Sequence, residues 1–115
     1  MRVDLEKLRT NVDSTAEMLR RDDTAGHVRP RVTTRLVENV NARSEFIQYD
    51  RDFAFECDES EGRAGSGSAP SPLRYFLSGL ACCQQVWSSK GAALVGCEVE
   101  DLTIDVITYM DMLGE

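Results

Sequence analysis

The sequence holds a single histidine, His27, and it stands in a polar linker beside Gly26. There is no Cys-x-x-Cys pair either, so a zinc site built on paired ligands at short spacing is not expected. Long apolar runs are also missing: none approaches the roughly 20 residues needed to span a bilayer. Basic charge is scarce. Thirteen Lys and Arg against 20 Asp and Glu leave a formal net charge of -7. Nucleic acid and anionic membranes both require a basic surface, and neither is expected as a partner. The N-terminus, MRVDLEKLRTNV, alternates charge with single apolar residues and lacks the pattern of a signal peptide. An intracellular, cytoplasmic location is the expectation, and in a reducing compartment the four cysteines read as free thiols rather than a disulfide framework. No internal repeat is visible.

What is present fits one soluble globular domain with a modest core: 115 residues, 42% hydrophobic and 29% charged. Leu5, Leu8, Val12, Ala16 and Leu19 recur at helical spacing and mark an amphipathic helix over residues 3–20. The stretch RDDTAGHVRP that follows reads as a linker. Residues 1–29 are therefore an arm and linker, docked loosely on the chain itself or onto a partner subunit, and residues 30–115 form the main domain. In that domain Val32, Thr34, Leu36 and Val40 share one alternating face, and Phe46 and Ile47 lie in the next run. Asp50-Arg51-Asp52 reads as a turn, with Phe53, Phe55 and Cys57 alternating beyond it. The expectation is an antiparallel meander of three strands. DESEGRAGSGSA (58–69) reads as a flexible connector. It lacks the lysine of a phosphate-binding loop and does not follow a βαβ pattern, so no cofactor is expected.

The richest segment is PSPLRYFLSGLACC, residues 70–83. Ser71 is suited to cap a helix, and Pro72 to its first turn, where its missing N–H is not needed. Gly91 suits a left-handed end to that helix. Leu73, Phe76, Leu77, Leu80, Cys83 and Trp87 form a broad apolar face, and Tyr75, Gly79, Cys82 and Val86 another, so the helix is expected to be covered on most sides. Gly79 suits close approach by a neighbouring backbone. Further on, Leu102, Ile104, Val106, Thr108 and Met110 alternate with Thr103, Asp105, Ile107 and Tyr109, the signature of a long strand. A bulge at Glu100-Asp101 would separate it from an earlier segment, Val95 to Val99.

From about Val32 onward the chain resembles the OsmC/Ohr family of small thiol-dependent peroxidases. The resemblance rests on the Gly-rich loop, the Ser-Pro helix start, a cysteine eleven residues after Pro72, which is Cys83, and the segment TIDVITYMDMLGE. It implies an α+β fold in which an antiparallel meander packs on a central helix and a long strand follows. It further implies an intertwined homodimer with its sites at the interface. The implied activity is reduction of small organic hydroperoxides, a defence against oxidative stress, with a thiol as reductant. In that family the helix cysteine becomes a sulfenic acid, a late cysteine resolves it, and an arginine and a glutamate prepare the thiolate. By resemblance Cys83 is the catalytic thiol, and Arg43 and Arg35 are candidates for the arginine. Phe76, Leu80 and Trp87 would wall an apolar substrate pocket. The position of the family glutamate, directly after the helix-start proline, carries Leu73. The sequence stops before the stretch in which the family's C-terminal helix and late cysteine would lie.

Residue chemistry leaves alternatives open. A peroxidatic cysteine acts as thiolate, and burial among hydrocarbon opposes ionisation. Cys83 is about three turns into its helix, beyond the range of the N-terminal dipole. A guanidinium must then come from elsewhere in the fold or from a partner, and without one Cys83 is an ordinary packing residue. Cys82 cannot easily bond its neighbour, because adjacent Cα atoms, about 3.8 Å apart, are closer than disulfide geometry favours. Cys57, Cys97 or an external thiol are the candidates for resolution. The competing readings are a non-catalytic OsmC-like module that binds an apolar ligand or serves assembly, and a chain whose uncovered sheet edges and helix face require a partner.

Overall fold

The structure is a computed structural model, and it describes residues 2–114. The fold class is mixed α and β, with two long helices and a three-stranded antiparallel open sheet. The chain divides into two compact units. One runs from Arg29 to Phe76, and the other joins the residues up to Val28 with those from Leu77 onward.

In the Arg29–Phe76 unit, β1 (Thr33–Glu38), β2 (Asn41–Gln48) and β3 (Arg51–Cys57) form the meander in chain order. The register pairs Arg35 with Arg43, Arg43 with Glu56, and Phe46 with Phe53. Residues directly opposite each other share a face. One face therefore carries Thr34, Leu36, Ser44, Phe46, Phe53, Phe55 and Cys57, as their alternation suggested. Phe46 stacks on Phe53 with ring centroids 5.6 Å apart and meets Phe55 edge-on. The other face carries Thr33, Arg35, Arg43, Glu45, Ile47 and Asp52.

Two details of the meander differ from expectation. Val40 is not a strand residue, since Asn39 and Val40 form the first turn. The second turn is Tyr49-Asp50, not Asp50-Arg51-Asp52, with φ of 55° and 57°. A two-residue hairpin loop with both central residues left-handed matches the twist of its strands, and Arg51 is thereby released to pair with Gln48.

The segment after β3 is not a flexible connector. The Asp58 carboxylate accepts hydrogen bonds from the backbone N–H groups of Glu59, Ser66 and Ser68 and from the hydroxyls of Ser66 and Ser68, at 2.8 to 3.1 Å. Asp58 N–H donates to the Pro70 carbonyl, which closes the loop at its far end. Asp58 is 1% exposed. Gly65 is required where it stands, because a Cβ there would collide with the Glu59 backbone.

α2 (Pro72–Val95) opens as its sequence indicates, with the Ser71 hydroxyl accepting from Arg74 N–H at 3.3 Å. It runs past Gly91. The true end is Gly96 at φ 70°, where Gly96 N–H reaches the Ala93 carbonyl and Cys97 N–H the Ala92 carbonyl. Ala92-Ala93-Leu94-Val95 sustains the helix beyond the first glycine, and the second glycine can take the left-handed conformation.

In the second unit, α1 (Leu5–Arg21) is capped by Asp4, whose carboxylate accepts from Lys7 N–H at 3.0 Å. Leu5, Leu8, Val12 and Ala16 are its half-buried face, as their spacing implies. Arg9 donates to the Leu94 carbonyl near the end of α2. The long strand expected over residues 102–110 is not formed. Leu102, Ile104 and Val106 do alternate as the half-buried positions, but a strand exists only through its ladder, and among the described residues none pairs with this segment. Gln85 anchors it to α2, donating to the Leu102 carbonyl at 3.0 Å. No helix among the described residues is long and apolar enough to cross a membrane.

Candidate functional site

The site must be built on α2, which carries both adjacent thiols. Contrary to expectation, Cys82 and Cys83 are exposed. Helix geometry explains why. The row that the fold covers is Leu77, Ala81, Gln85, Ser89 and Ala93, spaced by four and largely small. Its bulkier neighbours point elsewhere. Leu73, Leu80, Trp87 and Leu94 recur every seven residues, and Phe76 and Cys83 recur likewise between them. Phe76 is 72% exposed, Trp87 63% and Leu80 45%. The Cys83 thiol thus sits in an open apolar stripe, one of whose members, Trp87, is also crossed by the Lys90 ammonium at 4.9 Å. Among the described residues nothing lies within 4 Å of where a Gly79 side chain would begin, so no neighbouring segment of this chain makes the close approach that the glycine would allow.

The start of α2 is tied to the sheet by Tyr75. Its ring lies 4.5 Å from that of Phe55, and its hydroxyl donates to the Glu56 carbonyl at 2.7 Å. This anchor was not apparent in the sequence, where Tyr75 looked like one more apolar residue; a tyrosine one turn into a helix after an aromatic strand is a weak signal at best.

The two candidate arginines are brought together, but on the sheet face opposite the aromatic cluster. Arg35 and Arg43 face each other across β1 and β2, an arrangement that repels unless a carboxylate intervenes. Glu45 does so. One of its oxygens accepts from Arg35 Nη2 at 2.8 Å and the other from Arg43 Nε at 2.9 Å. The Arg43 hydrogen bond, then the nearby Arg35 charge, hold the Glu45 carboxyl below its ordinary value. Glu56 adds a looser partner to Arg43 at 3.9 Å.

The remaining thiols are free. Cys57 ends β3, half-buried, on the aromatic face. Cys97 follows the glycine that ends α2 and is exposed. Among the described residues no group of His, Cys, Asp and Glu is placed to hold a metal ion. The residue that sequence reading passed over is Asp58, whose serine partners lie eight and ten positions away, too far apart to form a local motif. No protein-family model and no curated protein matches the chain.

Proposed function

We propose that the chain is an OsmC-like protein that reduces organic hydroperoxides through Cys83, acting as a homodimer with its site at the interface. The observation that carries this reading is an accessible thiol, eleven residues past the helix-start proline, set in the apolar stripe of Phe76, Leu80 and Trp87. An exposed thiol can meet a substrate, and flanking hydrocarbon suits an alkyl or aryl hydroperoxide. The Cys83 thiolate attacks the terminal peroxide oxygen. An S–O bond forms, the O–O bond breaks, and the alkoxide leaves as an alcohol after taking a proton. Sulfur is oxidised to sulfenic acid and the peroxide is reduced. A thiol then condenses with the sulfenic acid, releasing water and leaving a disulfide, which a further thiol reduces. Cys57, Cys97 or an external thiol fills the resolving role. Arg43 or Arg35, from the partner copy, supplies the cation that favours thiolate and alkoxide.

The test is consumption of cumene hydroperoxide with dithiothreitol as reductant. Cys83→Ser is expected to fall to the uncatalysed background while Cys82→Ser keeps most of the rate. After mild peroxide treatment a sulfenic-acid trap should label Cys83. Equal rates for wild type and Cys83→Ser reject the assignment. A second reading, a non-catalytic module of the same fold that binds an apolar ligand or serves assembly, is favoured by Leu73 at the position of the family glutamate and by Glu45 occupying both arginines. It expects no peroxide consumption at all.

A further inference from the structure

The polar face of the sheet, which carries Arg35 and Arg43, borders a feature that goes beyond the proposed thiol chemistry. A cleft of about 800 Å³ lies between this face and the stretch Arg29-Pro30-Arg31, wholly within the Arg29–Phe76 unit. Arg29, Arg31, Arg35 and Arg43 all line it, against two carboxylates, Glu45 and Asp52. Glu45 is already spanned by Arg35 and Arg43. Among the described residues no carboxylate is paired with Arg29 or Arg31. The cleft therefore holds a formal excess of two positive charges in a protein whose net charge is -7.

Guanidinium groups gathered in this way repel one another, and a concave wall focuses their field. Their planar forks match the oxygen pairs of carboxylate and phosphate, and such charge-assisted bonds are about twice as strong as neutral ones. The rest of the surface sets the size of the ligand. An acidic protein repels a long polyanion, so nucleic acid and anionic membrane do not fit, whereas a compact anion inside the cleft meets four guanidinium groups against two carboxylates, one of them already spanned by Arg35 and Arg43. We propose that this cleft binds a small, multiply charged oxyanion, a phosphate ester or a di- or tricarboxylate. Arg35 and Arg43 form the floor, held in place by Glu45, and Arg29 and Arg31 close on the ligand from the overlying chain. The proposal does not depend on peroxidase activity, and its test reads binding alone.

The experiment is calorimetric titration of the full chain with pyrophosphate and, separately, with citrate, at constant ionic strength. Saturable binding of at least one is expected, and which of the two binds tighter distinguishes the phosphate from the carboxylate source. Arg29→Ala/Arg31→Ala should weaken that binding at least tenfold. Both positions are exposed and outside any helix or strand, so the far-UV circular dichroism should be unchanged. Arg74→Ala, an exposed arginine on α2 outside the cleft, should bind as wild type. Absence of saturable binding by either anion, or wild-type affinity in the double variant, overturns the proposal.

Discussion

Asp58 shows how much one side chain can decide. Its carboxylate gathers three backbone N–H groups and two hydroxyls, so that a stretch rich in Gly and Ser becomes an ordered loop. These donors, the Ser66 hydroxyl first and the Ser68 backbone next, hold the Asp58 carboxyl far below its ordinary value. Glu45 is lowered too, by Arg43 and then Arg35. For a group whose folded pKa is depressed, the unfolded chain takes up protons first. The stabilisation from both groups is therefore complete above the ordinary carboxylate range. It declines as the pH drops below about 4, and it is lost once the pH passes through the depressed values. Asp58→Asn replaces an acceptor-only group by an amide whose N–H₂ must face donors. At neutral pH it should lower Tm by at least about 5 °C and make the 59–68 loop sensitive to proteolysis. It should also flatten the fall of stability between pH 5 and 3, as read by urea denaturation across that range. An unchanged Tm would mean the carboxylate does not organise the loop. Composition concealed all of this, because Gly and Ser signal freedom only until a buried acceptor collects their donors.

Elements were legible in the sequence to the extent that their causes are local. Ser71-Pro72 marks the start of α2, Leu5-Leu8-Val12-Ala16 the half-buried face of α1, and Phe53-Phe55-Cys57 one face of β3, and each is where its pattern put it. The failures required information from outside the element. Gly91 looked like a terminator until Gly96 was weighed against it, and the alternation of residues 102–110 could not reveal that the segment has no ladder partner. The Tyr49-Asp50 turn was misplaced by one residue because neither residue announces a left-handed pair. That turn is also a point of strain, since the left-handed region costs a non-glycine residue about 1–2 kcal/mol, less for aspartate. Tyr49 is 77% exposed, so its side chain returns little. Replacing the pair with Asn-Gly, the combination this turn type prefers, should stabilise the protein by about 1 kcal/mol. The midpoint of urea denaturation should rise with its slope unchanged; a lower midpoint would mean the turn is not of this type.

At the scale of the whole molecule the balance of burial is the informative quantity. Among the described residues only Ala93 is a buried hydrophobic residue, while Leu73, Phe76, Leu80 and Trp87 stand on one face of α2 in water. Fully burying an exposed apolar side chain of this size contributes about 1.5–3 kcal/mol, and these four are already partly covered, so covering what remains is worth on the order of 3–6 kcal/mol, a large part of the stability of a small domain. The sequence had shown the stripe and left its cover open between the chain's own fold, a substrate pocket and a partner, because periodicity identifies an apolar face without saying whose surface covers it. The seven-residue recurrence of Leu73, Leu80, Trp87 and Leu94 drifts by only about 20° per repeat around the helix, which a slight supercoil takes up, the pattern that lets two helices run side by side. If a second copy provides the cover, sedimentation of the wild-type chain at micromolar concentration should show a dimer, with a Tm that rises with protein concentration. Leu80→Glu/Trp87→Glu places charge on that seam and should yield a monomer without a cooperative thermal transition. The same variant should lose peroxide consumption together with the dimer, since the cation proposed to assist Cys83 comes from the partner. A wild-type chain that sediments as a monomer and still unfolds sharply would show that the stripe needs no cover. It would also remove the partner arginine on which the proposed thiol chemistry relies.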